Sequence, residues 1–177
     1  NIMLQGAVKA GASKVIAIDS DPGKLEVARK LGAQYTLNIT ETDVRAEVEE
    51  ITNGEGVDVS VEAVGGKGEG LKQCLDMVKH NGIMALYGDN YAPVDNFCFH
   101  RFHEDGLEIR NLNAVHYTHL RSIENMREAY RAVQRGVFNI DIIFENSVSH
   151  RLTDIASVFE QENASDQQSS LKTLIIP

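Results

Sequence analysis

Residues 11–33 read GASKVIAIDSDPGKLEVARKLGA. Within them, residues 14–18 (KVIAI) form a short, largely β-branched hydrophobic run without alternation, which is typical of a strand covered on both faces. Asp21 and Pro22 then suit the N-cap and the first position of a helix. The segment therefore predicts a buried strand that turns directly into a helix, with Asp19 at the turn.

The same alternation of strand and helix recurs along the chain, and Asn81-Gly82 is predicted to be a turn. Strands are predicted at residues 14–18, 35–39, 57–64, 83–87, 107–117, 142–144 and 171–176, and helices at 2–10, 23–31, 42–52, 71–78, 123–134 and 152–162. Residues 89–106 and 163–170 are predicted to be irregular. This spacing indicates right-handed crossovers, so the predicted fold class is α/β with a doubly wound parallel sheet.

Composition narrows the function classes. The 177 residues carry 17 Lys and Arg against 26 Asp and Glu, a net charge of −9, and no basic tract. This balance argues against binding to nucleic acid or to an anionic membrane surface. No apolar run approaches the roughly 20 residues of a membrane span. The two cysteines lack CxxC spacing, which favours a reducing compartment, and we expect a cytoplasmic protein.

Asp19 is the sharpest candidate for a binding residue, because open α/β sheets bind ligands at the carboxyl ends of their strands. A carboxylate there can accept hydrogen bonds from both ribose hydroxyls of an adenosine and would repel a 2′-phosphate. Asp21 adds negative charge, which favours NAD over NADP, and Lys24 could reach the same ribose. A helix N-cap or a solvated turn is the alternative interpretation of Asp19.

Glycines follow two further predicted strands, at Gly65, Gly66 and Gly88. Glycine at a strand end lets a flat ligand approach the backbone, although an ordinary turn glycine explains each one alone. Cys98, His100 and His103 have a spacing seen in zinc sites, but the segment offers no second ligand pair. We therefore predict no metal site and no catalytic residue in this chain.

Three segments together closely resemble the zinc-dependent alcohol and polyol dehydrogenases of the medium-chain dehydrogenase/reductase family. They are residues 11–33, GVDVSVEAVGG at 56–66 and NGIMALYGD at 81–89, and the resemblance continues through NMREAYRAVQRG at 125–136 to SLKTLIIP at 170–177. It implies a Rossmann-type sheet. Residues 1–177 would then form a partial NAD(P)-binding domain whose tail returns toward a catalytic domain.

In that family a further strand and a G-x-G-x-x-G loop precede the helix that starts here at Asn1. An N-terminal domain supplies most ligands of the catalytic zinc. The resemblance therefore implies the C-terminal half of a longer enzyme, without the first strand and the glycine loop, with zinc expected only in the missing domain. That strand would lie between those of Asp19 and Val59, so its loss leaves two unpaired apolar edges. Another chain covers them, the sheet has rearranged, or the chain is part of a longer protein.

The resemblance also assigns cofactor contacts residue by residue, with NAD as the expected cofactor. Lys172 falls where the family has a basic residue that reaches the pyrophosphate, and residues 114–116 lie near the segment that holds the nicotinamide. Tyr87 and Asp89 depart from the small apolar residues usual at their positions. The predicted cofactor-binding residues are Asp19, Ser20, Lys24, Val64, Gly65, Tyr87, Gly88, Asp89 and Lys172.

The leading hypothesis is the NAD-binding portion of an oxidoreductase that transfers hydride between a small alcohol or polyol and nicotinamide, inactive as this chain alone. The alternatives are a non-catalytic nucleotide-binding or assembly module and, disfavoured by the lysine pattern, an S-adenosylmethionine methyltransferase-like domain. The resemblance also implies pairing of two nucleotide-binding domains through the outermost strand, here residues 107–117, so we expect a homodimer or a larger homo-oligomer; the alternative is that the chain's own helix 123–134 covers this strand.

Overall fold

The computed structural model describes residues 1–91, 93, 99–112, 119–145, 147–164 and 173–176. The chain divides into two compact units, residues 1–42 with 123–177, and residues 43–122. Strands and helices alternate in both units, and every strand pair within the described sheets is parallel, as the sequence predicts.

The first unit contains two small parallel sheets, β1 with β2 and β6 with β7. Its elements are α1 (Ile2–Lys9), β1 (Ile16–Asp19), α2 (Pro22–Lys30), β2 (Tyr35–Asn38), α6 (His119–Gln134), α7 (Asp141–Glu145), β6 (Val148–Arg151), a 3-10 turn (Leu152–Asp154), α8 (Ile155–Ala164) and β7 (Thr173–Ile176). The side chain of Asp21 caps α2, since its Oδ1 accepts hydrogen bonds from the backbone N–H groups of Gly23 at 2.7 Å and Lys24 at 3.4 Å. The predicted cap is therefore confirmed.

The second unit is built on one three-stranded parallel sheet in the order β3-β4-β5. Its elements are α3 (Val44–Ile51), β3 (Val57–Glu62), α4 (Glu69–Met77), β4 (Val78–Leu86), α5 (His100–Glu104) and β5 (Glu108–Asn111). The core around Met84, which is fully buried, comprises Leu71, Cys74, Leu75, Val78, Met84 and Leu107. It joins one face of the sheet to α4.

A guanidinium group secures the junction at which α4 runs directly into β4. Arg101, on α5, donates hydrogen bonds to the carbonyl oxygens of Leu75 at 2.5 Å and Val78 at 3.2 Å, and to Asp105 Oδ2 at 2.6 Å. Carbonyls in the last turn of a helix lack partners within that helix, so Arg101 satisfies groups that the junction would otherwise leave open.

The sequence predicts a missing strand between the strand of Asp19 and the strand of Val59, which are β1 and β3. Among the described residues, β1 has β2 as its one strand neighbour, and β3 has β4 as its one. Val59 and Val61 on β3 are about half exposed. At the other side of the second unit, all four residues of β5 are exposed, and β4 is its described strand neighbour.

Several local predictions were wrong. Residues 142–144, predicted to be extended, lie in the helix α7. Residues 89–106, predicted to be irregular, contain the helix α5. Strand β6 was not predicted. The predicted turn at Asn81-Gly82 lies inside β4, where the register with β3 shifts between Val57 and Val59 and Asn81 has a φ of 58°. Of the strand predicted at 107–117, residues 108–111 are observed, and 113–118 lie outside the described residues.

Candidate functional site

Asp19 is the last residue of β1, so its side chain lies at the carboxyl end of the strand, where it is partly buried. Its Oδ1 accepts a hydrogen bond of 3.0 Å from the backbone N–H of Asp21, which closes the turn into α2. Within the described part of the chain, no group donates a hydrogen bond to its other carboxylate oxygen. One oxygen therefore shapes the turn, and the other can accept from a ligand.

Ser20 and Lys24 lie beside Asp19 in the first unit. Ser20 is exposed in the turn between β1 and α2, and the partly buried Lys24 belongs to the first turn of α2. Because Asp21 already accepts from the backbone N–H groups that open α2, that helix end has little donor capacity left for a phosphate. Asp19 is therefore the clearer candidate of this set, because one of its carboxylate oxygens can still accept a hydrogen bond.

Glu62 organises a second group of strand ends, in the second unit. It closes β3 and is only 2% exposed. Its Oε1 accepts hydrogen bonds from the backbone N–H groups of Val64 at 2.9 Å and Gly65 at 2.8 Å, and its Oε2 accepts from Asn90 Nδ2 at 3.0 Å. A buried carboxylate is costly unless it is hydrogen-bonded, and these three bonds meet that requirement.

The loops that follow β3 and β4 pair with each other beyond the strands. The backbone N–H of Gly66 donates to Asp89 O at 2.9 Å, and that of Tyr91 donates to Gly66 O at 3.2 Å. Val64 is 90% exposed, and Tyr87, Asp89 and Tyr91 are exposed as well. The loops thus present a backbone platform edged by exposed side chains.

Close packing explains two of the glycines on this platform. A Cβ at Gly88 would lie 2.3 Å from Gly65 N, and one at Gly65, where φ is +79°, would lie 2.6 Å from Asp89 O. Gly66 differs, because nothing lies within 4 Å of a Cβ built there. Gly65 and Gly88 are therefore required by contact between the loops, whereas Gly66 faces open space.

A sequence profile of the family described as zinc-binding dehydrogenase matches residues 1–135. The chain belongs to this family. An alcohol dehydrogenase of Cupriavidus necator is 31% identical to this chain over 159 residues, which is 88% of the chain and 40% of that protein. A sorbitol dehydrogenase of Bacillus subtilis is 40% identical over 88 residues, 49% of the chain and 25% of that protein.

A solved structure adds the fold. The crystal structure of Escherichia coli quinone oxidoreductase complexed with NADPH is similar with a TM-score of 0.74 and 25% sequence identity, over 99% of this chain and 53% of that one. The α/β, Rossmann-type class predicted from the sequence is confirmed. The chain spans about half the length or less of these three relatives.

The structure gathers the predicted site residues of this chain into two sets. Asp19, Ser20 and Lys24 adjoin one another in the first unit. Val64, Gly65, Tyr87, Gly88 and Asp89 adjoin one another in the second. The predicted contact Lys172 lies outside the described residues, as do residues 114–116 and Cys98.

The side chains that the structure describes do not form a zinc site. No three His, Cys, Asp or Glu side chains there are grouped so as to hold a metal ion. His100 instead pairs with Glu104 on the same helix, at 3.3 Å.

No helix among the described residues is long and apolar enough to cross a membrane.

A cavity in the second unit does not coincide with the candidate site. It has a volume of about 430 Å³ and lies by Gly56 and Val78, at the amino-terminal ends of β3 and β4. Two of its charged lining residues, Arg45 and Glu49, pair with each other at 3.0 Å. Parallel sheets of this class bind ligands at the opposite, carboxyl ends.

Sequence reasoning missed Glu62 and Asn90. The signal was present, because within residues 59–66 a single acidic residue stands among apolar and small residues at the end of a strand, directly before Ala-Val-Gly-Gly. A carboxylate in such a strand must have partners, and the nearest available donors are the N–H groups of the loop that follows.

Proposed function

We propose that this chain is the nucleotide-binding part of an oxidoreductase that transfers hydride between an alcohol or polyol and NAD. One observation carries the proposal. Asp19 presents a carboxylate oxygen without a described partner at the carboxyl end of a parallel strand, in a chain of the zinc-binding dehydrogenase family. Carboxylates at that place accept the ribose hydroxyls of dinucleotides.

Charge favours NAD over NADP in this proposal. Asp19 and Asp21 lie two residues apart at the turn, so a 2′-phosphate on the adenosine ribose would meet two carboxylates. The Escherichia coli quinone oxidoreductase, whose structure contains NADPH, shows that the fold also accepts the phosphorylated cofactor. The choice would therefore depend on local residues such as Asp19.

The chain's own residues would bind and orient the dinucleotide. We propose cofactor contacts in each unit by itself: in the first unit Asp19 would hold an adenosine ribose, and in the second unit the platform of Gly65, Gly66 and Gly88 would offer backbone groups to a cofactor. The nicotinamide supplies the hydride chemistry when it is bound. Relatives named alcohol and sorbitol dehydrogenase support an alcohol or polyol as the substrate of the whole protein. The described residues fit no zinc site, and the roles proposed for this chain's residues involve the dinucleotide alone.

Calorimetry with NAD, NADP and ADP-ribose tests the proposal. We expect NAD and ADP-ribose to bind saturably. Asp19→Ser should weaken NAD binding by about 1–3 kcal/mol, since charge-assisted hydrogen bonds to the ribose are lost, and should reduce the discrimination against NADP. Asp21→Ser is the matched control for NAD affinity alone, because serine keeps the helix cap while Asp19 remains; this variant should bind NAD as before, although it too should discriminate less against NADP.

Two results would contradict the proposal. An unchanged affinity for NAD in Asp19→Ser would mean that Asp19 only shapes the turn. Tighter binding of S-adenosylhomocysteine than of NAD would instead support the methyltransferase alternative.

The proposal also includes the oligomeric state and the cellular location of the protein. All four residues of β5 are exposed at the edge of the three-stranded sheet, and symmetric pairing of two such strands would extend the sheet across a two-fold axis. We therefore propose a cytoplasmic homodimer or larger homo-oligomer that joins through β5.

A further inference from the structure

The two loops of the platform meet at a single buried carboxylate. Glu62 receives two backbone hydrogen bonds from the loop after β3 and one side-chain hydrogen bond, from Asn90, in the loop after β4. The backbone oxygen of Glu62 also accepts from the N–H groups of Tyr87 at 2.8 Å and Gly88 at 3.0 Å. No other residue of the platform bonds to both loops through its side chain in the described structure.

We infer that Glu62 is a positioning residue, which holds residues 64–66 and 88–90 in the arrangement that contacts the cofactor. The inference rests on the proposed function, since it assigns these loops to the NAD site. Glu62 itself is buried behind the loops and would not touch the ligand. It acts through the backbone of Gly65 and the amide of Asn90.

The two carboxylate oxygens of Glu62 accept hydrogen bonds from different loops. Oε1 accepts both bonds from the first loop, and Oε2 accepts the bond from the second. Asn90 Nδ2 also lies 3.3 Å from Gly88 O, while Asn90 Oδ1 is buried without a hydrogen-bond partner among the described residues. The polarity of the pair is therefore defined, with Asn90 as donor and Glu62 as acceptor.

This division predicts how each substitution acts. Glu62→Ala removes all three side-chain bonds. The amide introduced by Glu62→Gln can keep the bonds at Oε1, but its N–H₂ group then faces the N–H₂ group of Asn90. Asn90→Asp places two carboxylates about 3 Å apart, where like charges repel. The double variant Glu62→Gln/Asn90→Asp reverses donor and acceptor and restores the link between the loops.

Backbone hydrogen exchange and NAD calorimetry test the inference on the unchanged 177-residue chain and these variants. In Glu62→Ala we expect the N–H groups of Val64 and Gly65 to exchange at least about tenfold faster, as they lose bonds to a charged group. In Glu62→Gln and Asn90→Asp the inter-loop N–H groups of Gly66 and Tyr91 should exchange faster. The double variant should return these rates, and the dissociation constant for NAD, to within about threefold of the unchanged chain.

Val48→Ala is the matched control for a general loss of stability. Val48 is buried in α3 of the same unit and makes no hydrogen bond to the platform through its side chain. Its truncation should speed exchange throughout the unit, without a selective effect on the two loops. If Glu62→Ala does not fold, Glu62→Gln, Asn90→Asp and the double variant carry the test.

The outcomes separate the inference from the proposed function. If the unchanged chain does not bind NAD, the proposed function is wrong, and the cofactor role of Glu62 falls with it. If the chain binds NAD and the Glu62 variants bind it equally well, the inference is overturned while the proposed function stands. A double variant no better than either single variant would also overturn the inference.

Discussion

Replacing Gly88 with alanine would put a methyl group into the junction between the two loops of the platform. The new Cβ would lie 2.3 Å from Gly65 N, 2.5 Å from Glu62 Oε2 and 2.7 Å from Gly65 Cα. Each distance falls short of ordinary carbon contact, roughly 3.5 Å, by about 1 Å. Two of the contacted atoms are backbone, and the third belongs to a carboxylate held by three hydrogen bonds. The loops must therefore move apart.

The expected loss of stability follows from these contacts. Forcing an extra methyl group into a closely packed site costs about 1–3 kcal/mol. Moving the loops apart also stretches bonds to a buried carboxylate, worth about 1–3 kcal/mol. We expect Gly88→Ala to lower the free energy of unfolding by about 3 kcal/mol, measured by urea denaturation followed by circular dichroism. For a chain of this length, the midpoint of thermal unfolding should fall by about 6–12 °C.

Gly66→Ala is the control for this experiment. Gly66 has a φ of +90° in the same loop, but a Cβ there meets nothing within 4 Å. Its substitution should cost only the backbone strain, roughly 1–2 kcal/mol. Equal losses in the two variants would refute the steric reasoning, because only Gly88→Ala introduces a collision.

Other consequences follow from the same structure. Burial, followed by the charge of Glu62, raises the pKa of the Cys74 thiol to about 11, so in a Cys98→Ser background iodoacetamide should label the unfolded chain and not the native one at neutral pH. Rapid native labelling would contradict this. Lys79 lowers the pKa of Asp58, so their pair contributes stability above the ordinary pKa of aspartate and loses it as the pH falls through the lowered folded value. Asp58→Asn should slightly flatten the acid limb of the stability curve, and an unaltered limb would show that the pair contributes nothing. Sedimentation equilibrium at micromolar concentration should show a dimer or a larger species, and a single species of 19.5 kDa would rule out the proposed pairing.

The first strand and helix were predictable because local signals agreed there. The apolar run before Asp19, the cap at Asp21 and Pro22 all indicate the same boundary, and the structure has β1 ending at Asp19 and α2 beginning at Pro22. Such agreement between propensity, capping and pattern makes a segment readable without its tertiary context.

The structure of residues 142–144 could not be predicted from the local sequence. Three apolar residues in a row fit a strand or a buried helical turn equally well, so their periodicity cannot distinguish the two. A side chain outside the run provides the distinction, since Asn139 Oδ1 accepts a hydrogen bond of 3.4 Å from Ile142 N at the start of α7. The N–H of Asn139 in turn donates to Gln5 Oε1 at 2.6 Å, a contact 134 residues away along the chain.

The candidate site divides in the same way. Asp19 could be predicted because its role depends only on its place at a strand end. The roles of Glu62 and Asn90 depend on a bond between residues 28 apart, in loops that come together only after β3 and β4 have paired. Glycines at strand ends are expected both where a ligand approaches the backbone and where two loops pack closely. The sequence therefore could not show that Gly65 and Gly88 are required by contact between the loops.

The bonds from Arg101 to the end of α4 have a consequence for local unfolding. They link residues 23 and 26 positions apart, so the five-residue helix α5 cannot detach without exposing the carbonyls of Leu75 and Val78. Short helices are weak on their own and open readily, but an opening here would also fray the last turn of α4. The two segments should therefore open as one cooperative unit, with N–H groups that exchange at a common free energy despite the sheet strand between them.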